Sequence, residues 1–202
     1  MYLLIATRNP DKLQEIRACF TVGNLDLGSA LDYPHLPDVV EDGETLEANA
    51  LKKATELAIQ TDSWALADDT GLEVDALHGA PGVYAARYAG ENVTYADNVA
   101  KLLKEMRNQS TRTARFRTVV ALSDPQGQAR WVEGLCHGTI LDHERGDRGF
   151  GYDPVFLPDG HTATFAEMDT DTKNRISHRG LALQAAKTAW QSILKSENPA
   201  WT

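Results

Sequence analysis

The sequence predicts an α/β protein with a mixed β-sheet flanked by helices. Residues 2–6 form a continuous apolar run that leads directly into a helix start, as expected of a buried strand followed by a helix. Residues 113–123 and 128–135 have the composition of strands, and only the short segment 124–127 joins them. Because two adjacent strands with so short a connection cannot be parallel, the sheet must contain both strand directions.

The first helix is predicted to begin at Asn9 and Pro10, since Asn is a good N-cap and Pro fits the first helical turn. Free backbone N–H groups and the positive end of the helix dipole make such a start an anion site. Lys12 and Arg8 add positive charge, and Thr7 adds a hydroxyl. Segment 7–12 is therefore a candidate phosphate site, although an ordinary capped helix with a solvated lysine would have the same pattern.

Two further helices follow from apolar spacing of about 3.6 residues. One covers residues 45–61, after a loop at 32–44 that is rich in proline and acidic residues. The other covers residues 94–106 and begins with a capping box from Thr94 to Asp97. Glu47, in the first turn of the earlier helix, is favourable with the helix dipole and is also a candidate to reach the acidic pair described next.

An acidic pair, Asp68 and Asp69, follows the short apolar run 64–67. Thr70 and Gly71 are expected to turn the chain before residues 72–76, which alternate as in a half-buried strand. Successive strand side chains point to opposite faces, so the two carboxylates should diverge. Paired acids suit Mg²⁺, which binds one or two carboxylates together with substrate phosphates. A simple Asp-Asp-Thr-Gly turn is the alternative.

Two segments near the C-terminus carry further candidates. Residues 149–154 read Gly-Phe-Gly-Tyr-Asp-Pro, and aromatic rings on such a loop are suited to stacking on a nucleobase, unless they pack into the core. Residues 173–179 contain a dense basic cluster before or at the start of the last helix. Positive charge there opposes the helix dipole, and a local rule broken in this way indicates a functional site more often than a structural one.

Composition restricts the function class. The chain has 202 residues and a net charge of −9, which argues against non-specific nucleic-acid binding. Its two cysteines fit no metal-binding spacing, and no apolar run has transmembrane length, so a reduced cytoplasmic protein without a membrane span is expected. A single domain over residues 1–202 accounts for the length.

Five motifs stand together in order, and in this combination the chain resembles the RdgB-like inosine triphosphate pyrophosphatase family from residue 3 to about 195. The motifs lie at residues 6–12, 67–72, 79–88, 150–154 and 176–180. The resemblance implies an elongated mixed sheet with helices, in two lobes of one domain with the nucleotide in the cleft between them. It also implies hydrolysis of ITP, dITP and XTP to the monophosphate and pyrophosphate, a requirement for Mg²⁺, and a homodimer.

The resemblance assigns roles to individual residues. Asp69 would bind Mg²⁺ and serve as general base, with Asp68 and Lys12 as further catalytic residues. Some family members have a metal-binding Glu where this chain has Val40, so the neighbouring Glu41 is taken as the second ligand, with Glu47 as the alternative. The predicted substrate-binding residues are Thr7, Arg8, Asn9, Pro10, Asp11 and Lys12 for the triphosphate, Thr70, then Phe150, Gly151, Tyr152 and Asp153 for base and sugar, and Lys173, His178 and Arg179 for the purine.

Two other functions fit parts of the pattern. A Maf-type nucleotide pyrophosphatase would also use Mg²⁺ but should differ at residues 150–154 and 177–180. A non-catalytic nucleotide sensor would keep the pocket and lose the chemistry, which the presence of Asp68, Asp69 and Lys12 disfavours.

Overall fold

The computed structural model describes residues 1–23, 25–196 and 199–201. Its helices are α1 (Pro10–Cys19), α2 (Leu46–Thr61), α3 (Tyr95–Glu105), α4 (Thr170–Ile176), α5 (His178–Ala189) and α6 (Gln191–Leu194). Its strands are β1 (Tyr2–Ile5), β2 (Asp26–Ser29), β3 (Trp64–Val74), β4 (Pro81–Gly82), β5 (Thr113–Ser123), β6 (Ala129–Ile140) and β7 (Phe156–Pro158). The helices predicted at 45–61 and 94–106 are therefore confirmed.

The strands that the structure describes form one mixed sheet in the order β2-β1-β3-β5-β6-β7, with β4 paired to β3. Strand β1 runs parallel to both β2 and β3, whereas β3–β4 and β6–β7 are antiparallel. The segment joining β5 to β6 is closed by a bond from the Asp124 N–H to the Gln128 carbonyl. The predicted α/β class with a mixed sheet and flanking helices is confirmed.

The chain divides into two compact units, each with its own apolar core. The first unit comprises Met1–Asp69, Thr118–Gly134 and Arg179–Thr202, and the second comprises Thr70–Arg117 and Leu135–His178. The core of the first unit packs α1 and α5 residues with β1, as in Ile16, Leu183 and Leu3. The core of the second unit is rich in aromatic rings, including Phe116, Phe156 and Phe165.

The predicted turn at Thr70–Gly71 is wrong. Strand β3 continues without interruption from Trp64 to Val74, so Asp68 and Asp69 lie within a strand. The first part of β3 pairs with β1 and its last part with β4, and this pairing overrides the turn preference of Asp, Thr and Gly. The expected divergence of the two carboxylates follows from strand geometry all the same.

Candidate active site

The first helix begins as predicted, but its capping groups are already used within the helix start. The Asn9 side-chain oxygen accepts from the N–H groups of Asp11 (2.9 Å) and Lys12 (3.2 Å). The Thr7 hydroxyl accepts from the Asn9 N–H at 3.2 Å. Pro10 is the first helical residue. The local sequence thus builds a rigid helix N-terminus and leaves Lys12 to supply the charge.

Arg8 has contacts that differ from the predicted phosphate contact. Its guanidinium donates to the backbone carbonyls of Tyr33 (3.2 Å) and Leu36 (2.7 Å) and pairs with Asp38 at 2.6 Å. These three partners belong to the proline-rich loop that precedes α2. The contacts of Arg8 are therefore with the protein's own loop.

Asp69 lies in a polar cluster with residues of α2 and of the loop before it. The Lys53 ammonium donates to Asp69 Oδ1 at 3.0 Å and to Glu41 Oε1 at 2.9 Å. The Asn49 side-chain amide donates to Asp69 Oδ2 at 3.3 Å. Asp69, Asn49 and Lys53 are all buried. Two carboxylates from distant parts of the chain thus share one ammonium group.

Asp68 takes part in a second set of ion pairs within the same unit. Arg179 donates to Asp68 Oδ2 from Nε and from Nη2, both at 3.0 Å, and its Nη1 pairs with Glu15. The Lys12 ammonium lies 3.6 Å from the same Asp68 oxygen. Asp68 and Arg179 are almost completely buried. Two N–H groups of one guanidinium thus donate to a single carboxylate oxygen, and such charge-assisted bonds hold Arg179 firmly.

The surroundings shift the pKa values of the two aspartates in opposite directions. Burial raises the pKa of Asp69, and the charges of Lys53 and Lys12 offset only part of that effect. Burial also acts to raise the pKa of Asp68, but Lys12 and Arg179 outweigh it and hold this pKa well below its usual range. Asp68 is therefore a permanent anion, whereas Asp69 is the better proton acceptor.

The pKa values of the neighbouring lysines, Lys12 and Lys53, depend on the same competition between burial and nearby charges. Burial lowers the pKa of Lys12 and outweighs the charge of Asp68, which acts to raise it. For Lys53, burial again acts to lower the pKa, but the charges of Asp69 and Glu41 prevail and raise it. Lys53 thus stays charged between the two carboxylates.

Apart from Arg179, the predicted base- and sugar-binding residues belong to the second unit, which also holds a cluster of aromatic rings. His178 stacks on Phe116 with ring centroids 4.3 Å apart and an interplanar angle of 14°. The Phe150 ring lies 5.7 Å from the Tyr95 ring, and the Lys173 ammonium lies 5.2 Å from the Phe150 ring centre. Phe150 is half-buried, so part of its ring remains accessible.

The loop that carries Phe150 is shaped by Asp153. The Phe150 N–H donates to Asp153 Oδ2 at 2.9 Å, and the buried Lys173 ammonium pairs with the same oxygen. Gly149 has φ +69°, and a Cβ added there would lie 2.0 Å from that oxygen, so glycine is required. Tyr152 is buried and donates to the Ala85 carbonyl at 2.9 Å. Asp153 and Tyr152 thus hold the loop that presents Phe150.

Two further predicted substrate-binding residues are Thr70 and Gly151. Thr70 follows Asp69 on β3 and is half-buried, and Gly151 has φ +64° with open space where a Cβ would be.

His178 and Arg179 are neighbours in sequence, but His178 belongs to the second unit and Arg179 to the first. The basic cluster seen in the sequence is therefore divided between different carboxylate partners, Asp153 for Lys173 and Asp68 with Glu15 for Arg179.

Whether the side chains around Asp69 suit a divalent cation depends on the chemistry of their donor atoms. Among the described residues, no group of three His, Cys, Asp or Glu side chains converges as a protein-only metal site. Asp69 and Glu41 nevertheless point carboxylate oxygens at the same ammonium. Two hard oxygen donors, with phosphate supplying others, fit Mg²⁺ better than a softer metal. Glu47 lies in the first turn of α2, as predicted.

Three residues that contact Asp69 or Arg179 in the first unit were not among the predicted site residues. Asn49 and Lys53 are four residues apart on the buried face of α2, among Leu46, Ala50 and other apolar residues. Polar residues at that spacing on an apolar helix face are the signal that could have identified them. Glu15 lies three residues after Lys12 on α1, which places both on one side of the helix.

Comparison with known proteins gives the family. The model of the Ham1 family matches residues 3–189. This chain belongs to the Ham1 family. A protein from Geobacter sulfurreducens named dITP/XTP pyrophosphatase is 50% identical over 195 residues, covering 95% of this chain and 98% of that protein. One of the same name from Shouchella clausii is 44% identical, covering 95% and 97%. The family predicted from the five motifs is confirmed.

Solved structures agree with the fold. A HAM1 protein from Coxiella burnetii superimposes with a TM-score of 0.87 at 37% identity, covering 95% of this chain and 99% of that chain. A nucleoside-triphosphatase / dITP/XTP pyrophosphatase from Mycobacterium abscessus gives a TM-score of 0.74 at 41% identity, covering 92% and 98%. Within the described residues, none of the helices has both the length and the apolarity to cross a membrane.

Proposed function

We propose that this chain is a nucleoside-triphosphate pyrophosphatase that hydrolyses deaminated purine nucleotides, dITP, ITP and XTP, to the monophosphate and pyrophosphate. The names of the relatives support this activity, which the sequence also predicted. The structural observation that carries it is the shared contact of Asp69 and Glu41 with Lys53, beside Lys12 at a helix N-terminus. Carboxylates and ammonium groups in this number suit a triphosphate and its metal ion.

Asp69 is assigned as the general base. Burial raises its pKa, which favours proton uptake from water attacking the α-phosphorus. Asp68 is assigned a different role, because it is already paired with Arg179 and Lys12. It orients both cations and keeps Lys12 positioned for the phosphates. The catalytic role predicted for Asp68 thus becomes an electrostatic one in this proposal.

Lys12 and the N-terminus of α1 are assigned to the triphosphate, where they offset charge that develops on the leaving pyrophosphate. Asp69 and Glu41 would hold Mg²⁺. When bound, this ion would neutralise phosphate oxygens and act as a Lewis acid on the phosphate. Lys53 keeps the two carboxylates close together in the protein itself.

Purine recognition is assigned to Phe150, Lys173 and His178 of the second unit. Arg179, which the sequence also predicted for the purine, is assigned instead to Asp68 and Glu15, its carboxylate partners in the first unit. A ring at Phe150 stacks on the base, and hydrogen-bond donors face the O6 acceptor of hypoxanthine or xanthine. Adenine has an amino group at that position, so a donor would face a donor, at a cost of about 1–3 kcal/mol. Mg²⁺ as the physiological ion, the homodimer, the cytoplasmic location and a single domain over residues 1–202 stay predictions.

The test is pyrophosphate release from ITP, XTP, GTP and ATP, measured with Mg²⁺ and with EDTA. Rapid Mg²⁺-dependent release from ITP and XTP, with slow release from GTP and ATP, is the expected result. Equal release from all four would contradict the purine assignment and keep the role of Asp69. No release from any of them would contradict the enzyme assignment and favour a nucleotide sensor.

A further inference from the structure

Arg8 holds the loop that carries Glu41. Its guanidinium is engaged by three acceptors, the carbonyls of Tyr33 and Leu36 and the carboxylate of Asp38. All three precede Glu41 by three to eight residues in the same loop. Arg8 itself is next to Asn9, the N-cap of α1. The side chain therefore links the start of α1 directly to the entry of the Glu41 loop.

The exit of this loop is held separately by α2. The Gly43 N–H donates to the Asn49 side-chain oxygen at 2.8 Å, and Lys52 pairs with Asp42 at 2.7 Å. A Cβ added at Gly43 would lie 2.6 Å from that Asn49 oxygen, so the loop passes very close to the helix. Since Asn49 also donates to Asp69, the exit of the loop is tied to the acidic cluster. Glu41 lies between the two attachments.

We propose that Arg8 is a positioning residue that holds the 33–43 loop, and with it Glu41, against Lys53 and Asp69, and that it is not a ligand of the phosphate groups. This inference rests on the proposed function for its kinetic consequence, but its structural part does not. The planar fork of arginine suits three acceptors at once, which a lysine ammonium on a flexible stem does not match. The charge of Arg8 is also balanced by Asp38, which leaves less attraction for an anion.

The variants that test this are R8A, R8K and D38N. Asp38 is highly exposed, so D38N should fold even if R8A does not. The matched control is R145A, because Arg145 likewise donates to a backbone carbonyl, that of Thr162, and to a carboxylate, that of Glu167, but in the second unit. R145A is expected to leave both the 33–43 loop and pyrophosphate release unchanged.

The first readout is amide hydrogen exchange across residues 33–43 without nucleotide, since exchange reports local opening. R8A should accelerate exchange there, D38N less so, and R8K should not restore protection. The second readout is pyrophosphate release from ITP. R8A should lower kcat and raise the half-saturating Mg²⁺ concentration by about tenfold, as loss of a supporting contact behind a metal ligand does, with little change in KM.

A phosphate ligand would behave differently. R8A would then raise KM for ITP, R8K would restore it, D38N would have no effect, and exchange in residues 33–43 would stay as in the unchanged protein. That set of results would overturn the inference. If the unchanged protein released no pyrophosphate, the proposed function would fail, while the exchange measurement would still decide whether Arg8 holds the loop.

Discussion

The predicted site residues of the first and second units are surrounded by different kinds of side chain. In the first, Asp68, Asp69, Lys53 and Arg179 are all buried and joined by ion pairs. In the second, His178 and the neighbouring rings form a stacked cluster around the Lys173–Asp153 pair. Linked charges suit phosphate chemistry, and flat rings suit a base. Changes in the first unit are therefore expected to affect mainly kcat, and changes in the second to affect mainly KM and substrate choice.

The largest effect is expected from D69N, which keeps the size of the side chain and removes its basicity. Loss of the general base should lower kcat for ITP by about 10²–10⁴-fold. Steady-state pyrophosphate release measures this, and circular dichroism checks that the variant is folded. Near-normal turnover by folded D69N would remove Asp69 from the proposed chemistry.

A second large effect is expected from K53M. Removing the ammonium leaves Asp69 and Glu41 as uncompensated neighbours, and breaking a buried pair costs about 3–5 kcal/mol in the free energy of unfolding. Added Mg²⁺ should recover part of that loss by binding the two carboxylates. Urea unfolding with and without Mg²⁺ measures both.

The control for K53M is K52M, one residue away on α2, whose partner Asp42 is exposed. K52M should unfold at the same urea concentration as the unchanged protein, because exposed ion pairs contribute little. If K53M unfolded at the same urea concentration as K52M, the ion pairs of Lys53 would add nothing to the free energy of unfolding.

H178A and R179A sharpen the comparison, because these sequence neighbours belong to different units. H178A should lower turnover of ITP by about tenfold more than turnover of ATP, since it removes a donor near the base. R179A should lower both, because it removes the counter-ion of Asp68 and Glu15. If R179A lowered ITP turnover alone, Arg179 would act mainly on the base despite its contacts with carboxylates.

F150A should mainly raise KM for ITP. Loss of one stacking ring costs about 1–3 kcal/mol, which corresponds to an increase in KM of about 5- to 150-fold, while kcat changes little. Y95F is the matched control, since it keeps a ring beside Phe150. A fall in kcat with unchanged KM in F150A would contradict the division between the two units.

The smallest effect concerns Cys136, in the core of the second unit. Burial raises the pKa of its thiol to about 11, and the negative charge of Asp159 adds to that effect. At pH 8 the folded protein should alkylate at Cys136 on the order of a hundredfold more slowly than the unfolded chain. Mass spectrometry after iodoacetamide treatment measures the rate, and rapid labelling of the folded protein would contradict it.

Local sequence predicted some elements well and others poorly, for physical reasons. Asn9 and Pro10 marked the start of α1, and Thr94 with Asp97 formed the expected capping box of α3, because caps depend on residues a few positions apart. The turn at Thr70 was wrong, since pairing of β3 with β1 and β4 is decided by distant strands.

The site residues were likewise predictable only where the residues concerned are close in sequence. The Asp68–Asp69 pair was apparent because both acids stand together in the sequence. Arg179 reaches Glu15 across 164 positions, and Lys53 reaches Asp69 only once α2 packs beside β3. Motifs identify which residues carry chemistry, but the structure is needed to tell which carboxylate each cation meets.

The assignment of Asp69 and Glu41 as metal ligands is tested most directly by pyrophosphate release from ITP as a function of Mg²⁺ concentration, for the unchanged protein and for E41Q. We expect no release in EDTA and a half-saturating Mg²⁺ concentration at least about tenfold higher in E41Q, because one of two carboxylate ligands has been neutralised. Release that persists in EDTA, or an identical Mg²⁺ dependence in both proteins, would contradict the assignment of Asp69 and Glu41 as the metal site.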